Sequence, residues 1–232
     1  MQKTPTDRTL LAPLHGLRGI AVLFVVLSHL GYAQLFLFPL PHYSIGKVGV
    51  WIFFALSAYL LTANLCRDLS TSTSRPITLL EYFIHRIFRI YPLLITVLLI
   101  HLLIGDMTET QVIMHLFLKL GFQELWAIPV EFQYYFVIPI IALGYLLLPR
   151  NALIAILTCL LGLALLYGMA YPRTVFSNQL DIFPKLTPFL LGSMLALLQI
   201  SSVRNSNTVS QATDSLLTDY GLFCLLVVLT IA

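Results

Sequence analysis

Charge is what this chain has least of. Asp, Glu, Lys and Arg together make up 10% of its 232 residues, while hydrophobic residues make up 59%. Ordinary soluble domains carry about 25% charged and about 45–50% apolar residues. A soluble surface cannot be built from so few charges, which excludes soluble enzymes and disordered tails. The formal net charge of +3 is small and the basic residues form no single patch, which excludes a nucleic-acid binder. Cysteine is scarce. Cys66, Cys159 and Cys224 offer neither a metal-ligand spacing nor a pairing framework. Disulfide-stapled secreted domains are therefore excluded, and the cysteines read as small hydrophobic filler. There is no phosphate-binding glycine loop, no Gly-x-Ser-x-Gly elbow around Ser57, and no internal repeat. No metal site is expected.

Long apolar runs are what the chain does have. A membrane-spanning helix takes about 20 mostly apolar residues. Such runs fall at 19–38, 48–65, 87–104, 126–148, 152–170, 186–200 and 219–232. The expected fold class is all-α, a polytopic transmembrane helix bundle with about seven spans. The sixth run is short, and the last is still apolar at Ala232. A helix ending inside a bilayer is unexpected, so the chain is expected to be a fragment or a truncated copy. The first run exceeds the roughly 7–15 residues of a signal-peptide core and is expected to stay as an anchor. Residues 66–81 and 201–218 are polar and are expected to be loops on the inner side. Residues 108–124, amphipathic with Glu109, His115, Lys119 and Glu124, are expected at the outer interface.

Orientation follows the placement of Lys and Arg. With the N-terminus in the cytosol, the inner segments hold Lys3, Arg8, Arg18, Arg67, Arg75, Arg86, Arg89, Arg150 and Arg204. The outer ones hold Lys47, Lys119, Arg173 and Lys185, which gives nine against four.

An ionisable residue inside a span is costly and reads as functional by default. Arg18 and His29 are eleven residues apart, three helical turns and about 16 Å, so they share a face. An imidazole serves as a general base near neutral pH, and an arginine at the mouth holds a phosphate. The ordinary alternative is a snorkelling Arg and a His bonded to a neighbouring helix. Arg86 and Arg89, three apart, share another face and also fit the plain positive-inside belt. With Arg18 they would form a cationic mouth for a polyphosphate ligand. Glu131, near the outer end of the fourth span, has Tyr135 one turn on and Pro129 two residues before it. Trp126, Tyr134 and Tyr135 double as interfacial aromatics.

In register along the chain, these segments resemble the membrane-bound acyltransferase family 3, the O-acetylases of lipopolysaccharide, peptidoglycan and other envelope glycans. Leu14-His15-Gly16-Leu17-Arg18-Gly19-Ile20-Ala21-Val22 with His29 is similar to the family's opening helix. Gly49 to Leu60 is similar to its second helix, and Tyr82 to Pro92 to its Arg-x-x-Arg-Ile-Tyr-Pro segment. Trp126 to Pro139 resembles its Trp-Ser-Leu-x-Val-Glu segment, with Glu131 on the glutamate. Pro188-Phe189-Leu190-Leu191-Gly192 resembles a later Phe-x-x-Gly helix. The chain departs at His15, Trp51, Ala58, Ala127, Pro129 and Phe132. The family's domain is usually about ten helices.

The resemblance implies a cytosolic acyl-CoA donor, usually acetyl-CoA, and an envelope glycan or glycolipid acceptor beyond the membrane. Arg18, Arg86 and Arg89 would hold the CoA phosphates. His29 would act as general base or carry the acyl group briefly. Glu131 would orient His29 or position the acceptor, with Tyr135 and Trp126 as acceptor-binding residues. The whole of 1–232 is expected to be one acyltransferase-like domain in a bacterial inner membrane. A transporter or flippase-like bundle with a proton or anion path, and an inactive truncated copy, are the competing readings.

Overall fold

The computed structural model describes residues 5–32, 42–121, 123–170, 182 and 185–205. Among these residues there is no strand, so the all-α expectation holds. The helices are α1 (Pro5–Tyr32), α2 (His42–Thr71), α3 (Arg75–Leu103), α4 (Glu109–Leu116), α5 (Ala127–Leu147), α6 (Arg150–Ala170) and α7 (Leu186–Asn205). A 3₁₀ turn, Gln123–Trp126, leads into α5. Ile45–Thr71, Arg75–Leu103, Ala127–Leu147 and Arg150–Tyr167 are long and apolar enough to cross a membrane. Gly16–Gly31 and Leu186–Ile200 are shorter apolar helices. The last expected span, 219–232, lies outside the described residues.

Two expectations are corrected: residues 201–205 of the second stretch expected as a loop belong to α7, which runs to Asn205, and the first stretch is largely helical as well. The polar stretch 66–81 is not a loop: α2 runs on to Thr71, α3 begins at Arg75, and only 72–74 are non-helical. Hydroxyls make this possible. Ser70 donates to the Cys66 carbonyl at 2.6 Å and Thr71 to that of Arg67 at 3.2 Å, so these polar side chains bond back along their own helix. Ser72 Oγ then accepts from the Ser74 N–H at 3.1 Å and the Thr78 hydroxyl at 2.7 Å. A proline sits in the first turn of α3, where it interrupts no bond. The amphipathic stretch 108–124 holds α4, opened by a capping box between Thr108 and Gln111.

The chain divides into two compact units, residues 1–60 with 188–232, and residues 61–187. Small residues build the first. On α1, Leu14, Ala21 and Ser28 are buried and recur every seven residues, which marks one packed stripe. A methyl group at Gly49 would lie 2.7 Å from the Ala21 carbonyl oxygen and 2.8 Å from Val25, so α1 and α2 meet at backbone distance. On α7, a methyl at Gly192 would collide with the Ala55 backbone of α2. Close approach through small residues is how helices associate in lipid, where no hydrophobic force separates tails from side chains. Phe54 stacks on Phe189 at 4.4 Å, and Tyr59 donates to Gln199.

The second unit packs by rings and branched side chains. Phe132 meets Tyr91, Tyr135 and Phe136 at centroid distances of 5.8–6.3 Å, and Phe83 meets Phe136 at 5.3 Å. A cluster of Leu94, Leu98, Met107 and Val112 holds α4 against α3.

Candidate functional site

The densest polar constellation of the second unit joins α3 to α5, and a proline creates it. Pro139 lies inside α5 and has no N–H, so the carbonyl four residues earlier, that of Tyr135, loses its helical partner. The Tyr82 hydroxyl supplies the missing donor at 3.3 Å, in a buried position. Tyr135 in turn donates its hydroxyl to Glu131 Oε1 at 2.9 Å. Tyr135 is thus held at both ends, and the half-buried Glu131 is held by Tyr135. One turn after Tyr82, the Arg86 guanidinium carbon lies 5.9 Å from the Tyr82 ring centroid, within cation–π range. Arg86 and Glu131 both act electrostatically on Tyr82 and Tyr135. Arg86 and Glu131 do not pair with each other among the described residues.

Arg86 carries the clearest chemical demand. Its Nε is buried and has no hydrogen-bond partner among the described residues. A buried donor without an acceptor is costly, and a guanidinium is built to take oxyanions in pairs. Arg89, on the same helix, is exposed. Trp126 closes the 3₁₀ turn before α5, and its ring lies 5.3 Å from the Lys185 ammonium. Lys185 is only 6% exposed. That low exposure makes it part of the same wall as Trp126 rather than a solvated surface charge.

The first unit holds Arg18 and His29 on one continuous helix, so their shared face is realised. Both sit on the same side of the packed stripe, about 20° from each other. Their burial differs: Arg18 is half-buried and His29 exposed, while Ser28 beside it is buried. His29 falls in the last described turn of α1, nearer the helix end than its middle.

Of the sequence candidates, the second unit brings Arg86, Glu131 and Tyr135 together, leaves Arg89 outward, and places Trp126 under Lys185. Two residues escaped the sequence reading. Tyr82 entered only as the first residue of the Tyr82–Pro92 segment, because its bond to the Tyr135 carbonyl depends on Pro139. Lys185 counted merely as an outer charge. Among the described residues no three His, Cys, Asp or Glu side chains gather closely enough to hold a metal.

Helices long and apolar enough to cross a bilayer, with ionisable and hydroxyl groups on them, define an integral membrane protein with a polar site. The family comparison is specific. The acyltransferase domain of acyltransferase family 3 matches residues 12–207, and the chain belongs to that family. No curated protein and no solved structure matches it.

Proposed function

We propose that this chain moves an acyl group, acetyl above all, from cytosolic acyl-CoA to a hydroxyl of an envelope glycan or glycolipid in a bacterial inner membrane. The family match over residues 12–207 carries the reading. The buried Arg86 Nε supports it, since a phosphate oxygen is the acceptor that atom lacks. The excess of inner over outer Lys and Arg supports a cytosolic N-terminus.

In this reading Arg86, Arg89 and Arg18 hold the phosphates of the donor. His29 takes the proton from the acceptor hydroxyl as its oxygen attacks the thioester carbonyl. The new ester C–O bond forms, the C–S bond breaks, and the proton passes from His29 to the departing thiolate. Glu131, steadied by Tyr135, is assigned to positioning the acceptor. Trp126 offers a ring on which a sugar face can stack. A general base contributes about 10²–10⁴-fold.

The test uses membranes containing the chain, labelled acetyl-CoA, and label counted in envelope glycan. Transfer by the wild type and its loss in His29→Ala are expected, with Arg18→Ala raising the KM for acetyl-CoA. Transfer that survives His29→Ala would remove the base assignment and leave the family untouched.

A further inference from the structure

Beside Arg86 lies a groove of about 220 Å³ between the end of α2 and the start of α3. It is too small for a whole drug-sized ligand, which fills about 300–1,000 Å³, and large enough for one end of such a ligand. Its lining is mixed. Asp68 and Asn64 come from α2; Glu81, Tyr82, His85 and Arg86 come from α3. Two acids and two bases thus share one small groove. Among the described residues none of the four forms an ion pair. Both signs of charge stand open side by side, which suits a ligand that has an anionic part and a hydrogen-donating part.

The charges are ordered along the helix. Glu81 precedes Arg86 by five residues, about 7 Å along the axis of α3. Asp68 lies on α2, and His85 stands one turn beyond Glu81. An anion is repelled from the Asp68–Glu81 end and drawn to the Arg86–His85 end. Tyr82 and two leucines of α2, all largely buried, line the groove between them.

Resting on the acyl-CoA reading above, we infer that this groove takes the nucleotide end of the donor and that Asp68 and Glu81 read its base through the 6-amino group. Phosphate oxygens sit at the Arg86–His85 end, and the purine extends toward the two carboxylates. An ionised carboxylate only accepts hydrogen bonds. It therefore welcomes an amino group and is opposed by a 6-oxo group at the same place. The groove makes the protein select adenine over hypoxanthine, which a phosphate grip alone cannot do.

The experiment compares acetyl-CoA with its hypoxanthine counterpart on the full chain in detergent. It measures both transfer and equilibrium binding of the two donors. Asp68 and Glu81 are exposed, so the wild-type preference for adenine should be about 10-fold in kcat/KM, well short of the factors reached in closed sites. In the double variant Asp68→Asn, Glu81→Gln the amides can donate as well as accept, and the preference should fall to about one in both transfer and equilibrium binding. Asp68→Asn alone, expected to lose part of the preference, serves if the double variant does not fold. Equal use and equal binding of both donors by the wild type would overturn this inference and leave the acyl-CoA reading standing. A preference that persists undiminished in the variants would also overturn it. Binding of neither donor would overturn the acyl-CoA reading and this inference with it.

Discussion

The two units solve the same problem, holding helices together, with opposite materials. Residues 1–60 with 188–232 use glycine, alanine and serine to bring backbones into contact. Residues 61–187 use tyrosine and phenylalanine, whose rings keep backbones apart and leave polar atoms between them. The first arrangement has no slack, because a backbone carbonyl cannot turn aside. The second can adjust, because a ring or hydroxyl has rotamers to use. The candidate base rides on the rigid unit. Arg86 and Arg89 of the candidate anion grip and the held carboxylate ride on the adjustable one, while Arg18 rides with the base. A rigid unit suits a group that must meet a reacting atom, and an adjustable one suits ligand parts of varied shape.

The comparison is broken most forcefully by one methyl group. Gly192→Ala would press its Cβ against the Ala55 carbonyl and Cα, all backbone atoms. The expected loss is about 3 kcal/mol, the upper end for overpacking, seen as a lower midpoint in detergent unfolding. Gly162→Ala on α6 is the counterpart in the second unit, where nothing lies within 4 Å of the added atom. It should leave stability unchanged or raise it by up to about 1 kcal/mol, because Ala favours the helix. Equal effects of the two substitutions would remove the distinction between the units.

The second unit has its own sensitive point. Tyr82→Phe removes the donor that satisfies the carbonyl freed by Pro139. A buried carbonyl without a partner costs about 1–3 kcal/mol, so a loss of about 2 kcal/mol is expected. Tyr82→Phe with Pro139→Ala restores a helical N–H to that carbonyl and should recover most of it. Failure of the second substitution to rescue the first would show that the hydroxyl acts through some other contact.

This pair marks what could be read in advance. The spans were legible because bilayer thickness imposes a run length that sequence displays directly. Arg18 and His29 were legible because helical periodicity fixes their separation. Arg86, Glu131 and Tyr135 were legible as isolated residues of a family pattern, not as a network. The bond from Tyr82 to Tyr135 spans 53 residues of chain and depends on a proline that reads locally as a mere kink. The stretch 66–81 misled because Ser and Thr favour loops in water, whereas here their hydroxyls bond back to helix carbonyls. Lys185 was invisible because no local signal pairs it with Trp126, 59 residues earlier.

Two turns inside the second unit sharpen the comparison at smaller scale. α3 and α4 end in the same motif. Gly105 and Asp106 bond back to the Leu102 and His101 carbonyls, and Leu118 and Lys119 to those of His115 and Met114. The turning residue is left-handed in both, with φ +83° at Gly105 and +57° at Leu118. Glycine adopts this freely, and leucine at a cost of about 1–2 kcal/mol. Leu118 packs on the Leu94–Leu98 cluster, which offsets that cost. Gly105→Ala should therefore cost about 1 kcal/mol. Leu118→Gly should change stability by less than about 1 kcal/mol, as relief of strain offsets lost packing. A loss above that from Leu118→Gly would show that packing alone governs the turn.

The smallest expected effect concerns His115, whose side chain is 1% exposed on α4. Burial, aided by the nearby His101, lowers its pKa from the ordinary 6.5. The folded chain therefore holds His115 neutral at a pH where the unfolded chain would protonate it. Stability linked to this group is complete above about pH 6.5 and declines as the pH falls below that value, because the unfolded state then binds more protons. Unfolding midpoints measured between pH 8 and 5 should be level at first and then drop. In His115→Gln, which keeps hydrogen-bonding groups but does not titrate, the drop should be shallower. An identical acid limb in the two proteins would mean that His115 does not carry the acid response.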